Sequence, residues 1–316
     1  MRALVLADGR LRFDPRHPER HGAPGETRVD VTLAGVCATD LELARGYMGF
    51  AGVPGHEFVG VAREGPYAGR RVVGEINAAC GRCERCARGM DRHCATRTVL
   101  GILGRDGAFA ERLYLPQRNL SLVPDEMPDD VAVFVEPVAA ALALGEAADV
   151  APGARAAVVG DGKLGLLCAQ ALALSGARVT LLGRHERKLE IARRAGADAR
   201  REVDAGATFP LVVDATGSSD GLARALALVE PRGTVVLKTT TRDAPKESLA
   251  KIVIDEIRVV GSRCGRFAPA IEALRAGRID PRPLVDARLP LERGTEAFAK
   301  AGERGALKVL LQVSAA

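Results

Sequence analysis

Four cysteines lie within fifteen residues of one another, and their spacing is that of a metal site. They follow the pattern C-x2-C-x2-C-x7-C, at Cys80, Cys83, Cys86 and Cys94. Four thiolates on one compact loop form the ligand set of a closed, tetrahedral structural zinc site. Arginines alternate with the cysteines, at Arg82, Arg85, Arg88 and Arg92. We expect their charge to offset that of the thiolates and to lower the thiol pKa values.

The cysteine spacing has two other interpretations. Cysteine spacing alone leaves an iron–sulfur cluster open. A set of ordinary core cysteines is the third interpretation, but core cysteines do not alternate with four arginines. A complete thiolate shell leaves no open coordination position, so we expect the lobe over residues 80–94 to stabilise the fold rather than to perform chemistry.

Three further segments each place one zinc-binding side chain beside glycine or proline. They read G-V-C-A-T-D at 35–40, P-G-H-E-F-V-G at 54–60 and V-E-P-V at 135–138. A catalytic zinc uses about three protein ligands and keeps one position open. Cys37, His56 and Glu136 form such a set, with Glu57 as a candidate fourth ligand. Each residue alone has an ordinary explanation, as a core cysteine, a hydrogen-bonded histidine or a surface carboxylate.

A glycine motif indicates a dinucleotide site. G-D-G-K-L-G at 160–165 follows an apolar run and precedes an apolar segment that we predict to be a helix. Glycines in this context permit a tight turn and bring a pyrophosphate close to the helix N-terminus. The predicted cofactor-binding residues of the motif are Gly160, Gly162, Lys163, Leu164 and Gly165. An ordinary strand–turn–helix loop is the alternative.

The end of the next predicted strand bears on the choice of cofactor. NAD-binding sites place an acidic residue there for the ribose hydroxyls, whereas this chain has Gly183 followed by Arg184. An arginine pairs well with a 2′-phosphate, so NADP is favoured over NAD, with His185 and Lys188 as further contacts. Alternatively, these cations are a solvated helix start and Glu186 serves the ribose. Residues at the ends of later strands, Thr216 and Lys238, are expected to line the same crevice.

These residues must be positioned by two kinds of domain. Up to about residue 137, Gly and Pro separate short β-like runs, at 28–36, 58–63 and 70–76, as in an all-β barrel. Predicted strands then alternate with helices, as in a parallel sheet covered by helices. We predict strands over 154–159, 179–182, 211–215, 234–237 and 252–260, and helices over 164–175, 186–195 and 221–228.

The end of the chain is expected to return to the first domain, through a helix over 268–276 and a strand over 306–313. The predicted fold class is therefore α/β plus β. A discontinuous catalytic domain, 1–137 and 268–316, contains the zinc lobe, and a doubly wound Rossmann domain, 138–267, is inserted into it.

Composition excludes several classes of function. The net charge of +5 is small for 316 residues, aromatic residues make up 3%, and Trp is absent, which argues against a nucleic-acid partner. No apolar run reaches the roughly 20 residues of a membrane span. The N-terminal apolar stretch is too short for a secretory signal, so we expect a first β-strand and a cytoplasmic protein.

Together these motifs, in this order, resemble the zinc-containing medium-chain dehydrogenase/reductase superfamily over essentially the whole chain. The resemblance implies a GroES-like catalytic domain and a catalytic zinc held by Cys37, His56 and Glu136, with Glu57 close to the metal. It implies that Asp40 accepts a hydrogen bond from His56, and that Thr39 takes the proton of the substrate. Two zinc ions per chain and a nicotinamide cofactor follow.

The function implied by the resemblance is reversible hydride transfer between NADP(H) and a secondary alcohol, polyol or sugar. A zinc-free enoyl or quinone reductase on the same fold is the main alternative, but such enzymes lack the cysteine lobe and the Cys/His pair. A non-catalytic NADP-binding protein with structural zinc is the other. The resemblance also implies a homodimer or homotetramer, formed through the strand near 252–260.

Overall fold

The computed structural model describes residues 1–240 and 249–314. The chain divides into two compact units, the first formed by residues 1–136 and 284–316 and the second by residues 137–283. The return to the first unit thus comes at residue 284, later than the expected residue 268. The helix expected over 268–276 belongs to the second unit.

The strands of the described part follow in chain order. They are β1 (Ala3–Ala7), β2 (Arg10–Asp14), β3 (Glu26–Val36), β4 (Glu57–Ala62), β5 (Arg71–Gly74), β6 (Asn77–Ala78), β7 (Thr98–Val99), β8 (Arg112–Pro116), β9 (Leu120–Leu122), β10 (Arg155–Val159), β11 (Arg178–Leu182), β12 (Asp198–Arg200), β13 (Phe209–Asp214), β14 (Val229–Leu237), β15 (Arg258–Gly261), β16 (Val285–Pro290) and β17 (Lys308–Gln312). Strands β10 to β15 belong to the second unit.

The α-helices are mostly short in the first unit and longer in the second. They are α1 (Ala38–Ala44), α2 (Glu84–Ala87), α3 (Asp129–Ala132), α4 (Val135–Leu142), α5 (Leu144–Ala147), α6 (Lys163–Leu174), α7 (Glu186–Arg194), α8 (Gly221–Leu228), α9 (Ala250–Ile254), α10 (Phe267–Arg275) and α11 (Gly294–Ala301). No helix of the described residues combines the length and the apolar character that a bilayer crossing requires.

The first unit is organised by one mixed sheet. Its strands lie in the order β16-β17-β3-β4-β5-β9, and β8 pairs with the first half of β3. Strand β3 forms the centre because its 11 residues pair with β4, β8 and β17. Its first five residues alternate between half-buried and buried, and all residues from Val31 to Val36 are buried. The first predicted β segments are confirmed as β3, β4 and β5, and the final one as β17. Closure of this sheet into a barrel stays a prediction.

The second unit contains a six-stranded parallel sheet in the order β12-β11-β10-β13-β14-β15. This is the 3-2-1-4-5-6 order of the doubly wound dinucleotide-binding fold. The strands are short apolar runs, as expected when both faces of a parallel sheet are covered. Helix α8 packs Ala225 and Leu226, both at most 1% exposed, against the sheet residues Ala157, Val212 and Val235.

One predicted element is wrong in its first half. The strand expected over 252–260 begins only at Arg258, because Ala250–Ile254 forms helix α9. Glu256 then adopts a positive φ of 51°, and the N–H of Ile257 bonds to the carbonyl of Ile252. This is the αL ending typical of a helix C-terminus. A short run of apolar β-branched residues did not distinguish a terminal helical turn from a strand.

Candidate functional site

Cys37, His56 and Glu57 are brought together by the pairing of β3 with β4. Cys37 follows the last residue of β3, and Glu57 is the first residue of β4. The antiparallel register places Gly35 opposite Glu57, so the residues just beyond this pair meet at the same end of the hairpin. The ligand atoms of all three side chains lie within 4.8 Å of one another. His56 and Glu57 are buried, and Cys37 is half-buried.

Asp40 supports two members of this group from the first turn of α1. Its carboxylate is fully buried, and Oδ2 accepts a hydrogen bond of 2.8 Å from the N–H of Cys37. Oδ1 lies 3.3 Å from Nδ1 of His56, an ionic contact whose alignment is too poor for a hydrogen bond. Burial alone would lower the pKa of His56, but the charges of Asp40 and Cys37 raise it well above 6.5.

Thr39 and Glu136 occupy different positions relative to this group. The hydroxyl oxygen of Thr39 lies 3.8 Å from the sulfur of Cys37, so the side chain borders the group. Glu136 lies in the first turn of α4 and is half-buried. Among the described residues, the cluster of three ligand atoms contains Glu57 and does not include Glu136. The role of Glu136 as a zinc ligand stays a prediction.

Lys308 is a member of the site that the sequence analysis missed. It is 1% exposed, and its ammonium forms an ion pair with Oε2 of Glu57. The same nitrogen contacts the carbonyl of Val36 at 3.4 Å and lies 5.5 Å from the ring centroid of Phe134. The signal was a single lysine at the start of the apolar strand K-V-L-L-Q, where a solvated lysine is not expected.

The donor set fits a zinc ion. Thiolate sulfur, imidazole nitrogen and carboxylate oxygen are the ligands that zinc takes in proteins. Nδ1 of His56 and Oδ1 of Asp40 are buried without a hydrogen-bond partner. A metal cation bound nearby would offset the cost of leaving these polar atoms unsatisfied. With Nδ1 directed at Asp40, Nε2 is the ring nitrogen left for a metal.

The four cysteines of the lobe form a second cluster. Their sulfur atoms lie 3.5 Å apart for Cys83–Cys86, 3.5 Å for Cys80–Cys94 and 3.8 Å for Cys83–Cys94. Ligands at the usual zinc–sulfur distance in a tetrahedron are about 3.8 Å apart, so the four sulfurs fit one zinc ion. The short helix α2 carries Cys86, and Cys83 is its N-cap.

The thiol pKa values of the lobe are shifted in opposite directions. Backbone N–H groups of Arg82 and Cys83, with the hydroxyl of Thr96, lower the pKa of Cys80 to about 5. The pKa of Cys86 is raised to about 12, mainly by burial and by its neighbouring sulfurs. The expectation that arginine charges lower the thiol pKa values is therefore wrong for Cys86, whose pKa is raised, and the lowered pKa values of Cys80 and Cys83 come first from backbone hydrogen bonds. Arg85, for example, donates to the carbonyl of His93.

The glycine motif lies where a dinucleotide is expected to bind. Gly160 follows the last residue of β10 with a φ of 117°, and a Cβ there would lie 2.5 Å from the carbonyl oxygen of Ala215. A Cβ on Gly165 would collide with the carbonyl oxygen of Gly160, so helix α6 can approach the loop this closely only with glycine at position 165. Gly162, the N-cap of the 12-residue helix α6, faces open space. The loop therefore fits a pyrophosphate at the N-terminus of α6.

Lys163 and Leu164 form the first turn of α6 and are half-buried. At the end of β11, Arg184 is exposed, and its side chain has no ion pair with any residue that the structure describes. His185 is the N-cap of α7, with its ring 3.0 Å from the carboxylate of Asp161. Lys188 is 4% exposed.

Two predicted contacts at later strand ends are engaged in hydrogen bonds within the second unit. The hydroxyl of Thr216 donates to Asp214 at 2.8 Å. The ammonium of Lys238 is buried and donates to the carbonyls of Ala140 and Arg263 at 2.6 and 3.0 Å. Both side chains thus fix the ends of their strands, and their contact with a cofactor stays a prediction.

Comparison with known proteins gave matches over most of the chain. The family model of the alcohol dehydrogenase GroES-like domain matches residues 23–125, and that of the zinc-binding dehydrogenases matches residues 164–276. The chain is 32% identical to a Mycobacterium tuberculosis protein named "Probable alcohol dehydrogenase adh", with 96% of this chain and 95% of that protein covered. It is 29% identical to D-arabinitol dehydrogenase 1 of Uromyces fabae, with 91% and 90% covered.

Solved structures match at full length. A short chain alcohol dehydrogenase from Escherichia coli in complex with NADH superimposes with a TM-score of 0.89 at 27% identity, covering 99% of both chains. A structure from Sinorhizobium meliloti 1021 bound to NADP superimposes with a TM-score of 0.88 at 25% identity, again covering 99% of both chains. The GroES-like and Rossmann domains of this chain are those of its structural neighbours.

Proposed function

Because this chain belongs to the zinc-containing medium-chain dehydrogenase/reductase superfamily, we propose that it interconverts a secondary alcohol, polyol or sugar and the matching carbonyl compound, with NADP(H) as the favoured cofactor. That it is an NAD(P)-dependent dehydrogenase of the alcohol and polyol type follows from its relatives. The substrate class and the preference for NADP are the proposal. The observation that carries the zinc-dependent alcohol chemistry is the cluster of Cys37, His56 and Glu57 within 4.8 Å.

Each residue around this cluster has a role that follows from its position. A zinc ion bound there would supply a Lewis acid for the substrate oxygen, and a nicotinamide cofactor would supply the hydride acceptor or donor. Cys37 and His56 hold the metal, with Glu136 as the proposed third ligand. Asp40 fixes the main chain at Cys37 and the ring orientation of His56. Thr39, at the border of the cluster and half-buried, passes the hydroxyl proton of the substrate outward: its oxygen accepts that proton as its own proton leaves to solvent.

Glu57 is held away from permanent coordination by Lys308. The side chains of Lys308 and Glu57 are 2% and 1% exposed, and their buried ion pair holds the Glu57 carboxylate against the lysine ammonium. Glu57 thus lies close to the metal and is available to exchange with water as a ligand. The lysine also supplies a positive charge that balances the thiolate of Cys37 and the carboxylates of Glu57 and Asp40.

The preference for NADP rests on the end of β11. Gly183 offers no strand-end carboxylate, and the exposed guanidinium of Arg184 is available for a 2′-phosphate. Relatives of known structure have been solved with NADH and with NADP, so both forms must be tested.

The test is an assay of reduced nicotinamide by its absorbance, with polyols, aldoses and simple secondary alcohols, each with NADP and with NAD. We expect turnover on one of these classes and a lower KM for NADP. A lower KM for NAD would contradict the cofactor preference alone. Absence of turnover together with a single bound zinc per chain would contradict the dehydrogenase proposal.

We further propose that the chain self-associates through the edge of the parallel sheet. Strand β15 pairs only with β14 in the described part of the chain, so its other edge is open. In the segment that precedes β15 in the chain, Leu249, Val253 and Ile254 are 65%, 74% and 77% exposed. Large apolar side chains at such exposure mark an interaction surface. Analytical ultracentrifugation should show a dimer or tetramer that Val253→Asp disrupts, whereas Met48→Asp, an exposed position in the first unit, leaves it intact.

A further inference from the structure

A carboxylate lies at the end of β11 although the residue that follows the strand is Gly183 rather than an acid. A Cβ on Gly183 would lie 2.5 Å from Cβ and 2.7 Å from Oδ2 of Asp161, the second residue of the glycine motif. The space that a strand-end side chain would need is therefore filled from the neighbouring loop. Asp161 and any side chain at position 183 exclude each other.

Asp161 is held in this position by one of its two oxygens. Oδ2 accepts hydrogen bonds from the N–H groups of Arg184 and His185, at 2.7 and 2.8 Å, and contacts Nδ1 of His185 at 3.0 Å. Burial alone would raise the pKa of Asp161, but these N–H groups, the His185 ring and the charge of Lys188 hold it below 3.8. The carboxylate is therefore ionised under ordinary conditions.

The second oxygen of Asp161 is available to a ligand. Oδ1 accepts no hydrogen bond from residues 1–240 or 249–314, and the side chain is 11% exposed. The neighbouring loop, which connects β11 to α7, presents the exposed guanidinium of Arg184. An acceptor suited to a ribose 2′-hydroxyl and a cation suited to a 2′-phosphate thus lie on adjacent elements, at the end of the strand that contacts the adenosine ribose in this fold.

We propose that Asp161 is the ribose-binding carboxylate of this chain, supplied by the glycine loop in place of the strand-end acid. It rests on the proposed dinucleotide-binding function. Oδ1 accepts a hydrogen bond from the 2′-hydroxyl of NAD. The negative charge of Asp161 repels the 2′-phosphate of NADP, which the positive charge of Arg184 attracts. Cofactor preference is then a balance between Asp161 and Arg184, so the chain binds both NAD and NADP.

The experiment measures binding of two nucleotide fragments, 5′-AMP and 2′,5′-ADP, to the full-length protein by isothermal titration calorimetry. The test variant is Asp161→Asn, because the asparagine oxygen still accepts from the N–H groups of Arg184 and His185 while the charge is lost. The matched control is Asp198→Asn, an exposed carboxylate on the neighbouring strand β12. Arg184→Ser provides the opposite perturbation.

We expect Asp161→Asn to bind 2′,5′-ADP roughly tenfold more tightly and 5′-AMP several-fold more weakly, because repulsion and a charge-assisted hydrogen bond are lost together. Arg184→Ser should weaken only 2′,5′-ADP, and Asp198→Asn should change neither affinity.

If Asp161→Asn weakens both fragments equally, or changes neither, Asp161 only anchors the loop and the proposal is overturned. The wild-type protein separates this failure from that of the proposed function. Wild-type protein that prefers 5′-AMP contradicts the NADP preference and leaves the role of Asp161 standing. Wild-type protein that binds neither fragment contradicts the dinucleotide site itself.

Discussion

Replacing Lys308 by methionine should destabilise the first unit strongly, because it leaves a buried carboxylate without its cation. Glu57 is 1% exposed and Lys308 2%, so neither charge is screened by solvent. Removing one partner of a buried ion pair costs about 3–5 kcal/mol. Lys308→Met with Glu57→Gln removes both charges at similar volume, so we expect the double variant to regain most of that loss.

The assay is urea unfolding followed by tyrosine fluorescence. The chain has no Trp, and its three tyrosines, Tyr47, Tyr67 and Tyr114, all belong to the first unit. The signal therefore reports on the unit that contains the ion pair, which avoids treating a two-unit chain as one transition. A Lys308→Met protein within about 1 kcal/mol of wild type, or a double variant less stable than either single one, would refute the reasoning.

Three further predictions follow from the two clusters and the glycine loop. Cys83→Ser should remove one zinc per chain by metal analysis and lower the melting temperature, since it opens the tetrathiolate set; an unchanged zinc content would count against a structural zinc. Thr39→Val should lower kcat by at least about a hundredfold with unchanged affinity for 2′,5′-ADP, while Thr39→Ser retains activity; equal kcat values for the two variants would exclude Thr39 from proton transfer. Because the pKa of Asp161 is lowered, its contribution to stability is present above the unfolded value of 3.8 and is lost only as pH falls through the lower folded value. Calorimetry from about pH 6 to pH 9 should therefore give 5′-AMP affinities without an inflection due to Asp161, and an inflection abolished by Asp161→Asn would contradict the lowered pKa.

Much of the fold could be predicted because local patterns and tertiary structure agree. The strand–glycine–helix unit around residues 155–174 has an apolar strand, a turn that only glycine can make and an apolar helix, and each feature favours the same structure. The cysteine lobe was also predictable, since four ligands lie close together in sequence. Cys37 and His56 were identified through motifs, and the β3–β4 register explains why they meet.

The remaining features depend on long-range pairing. Lys308 meets Glu57 because β17 pairs with β3, which joins residues 251 positions apart. Asp161 fills the space beside Gly183 because β10 and β11 are neighbours in the sheet. The sequence has no acid at position 183 and so predicts no carboxylate at this strand end, and only the three-dimensional arrangement shows that Asp161 provides one.

The most direct test of the central claim is the zinc content and turnover of Cys37→Ser, measured with the substrate and cofactor that the wild-type protein uses best. Wild type should bind two zinc ions per chain and the variant one. The variant should have no measurable turnover but an unchanged affinity for 2′,5′-ADP, because its glycine loop is intact. A Cys37→Ser protein that turns over at the wild-type rate, or that keeps both zinc ions, would contradict the assignment of Cys37 to the catalytic metal.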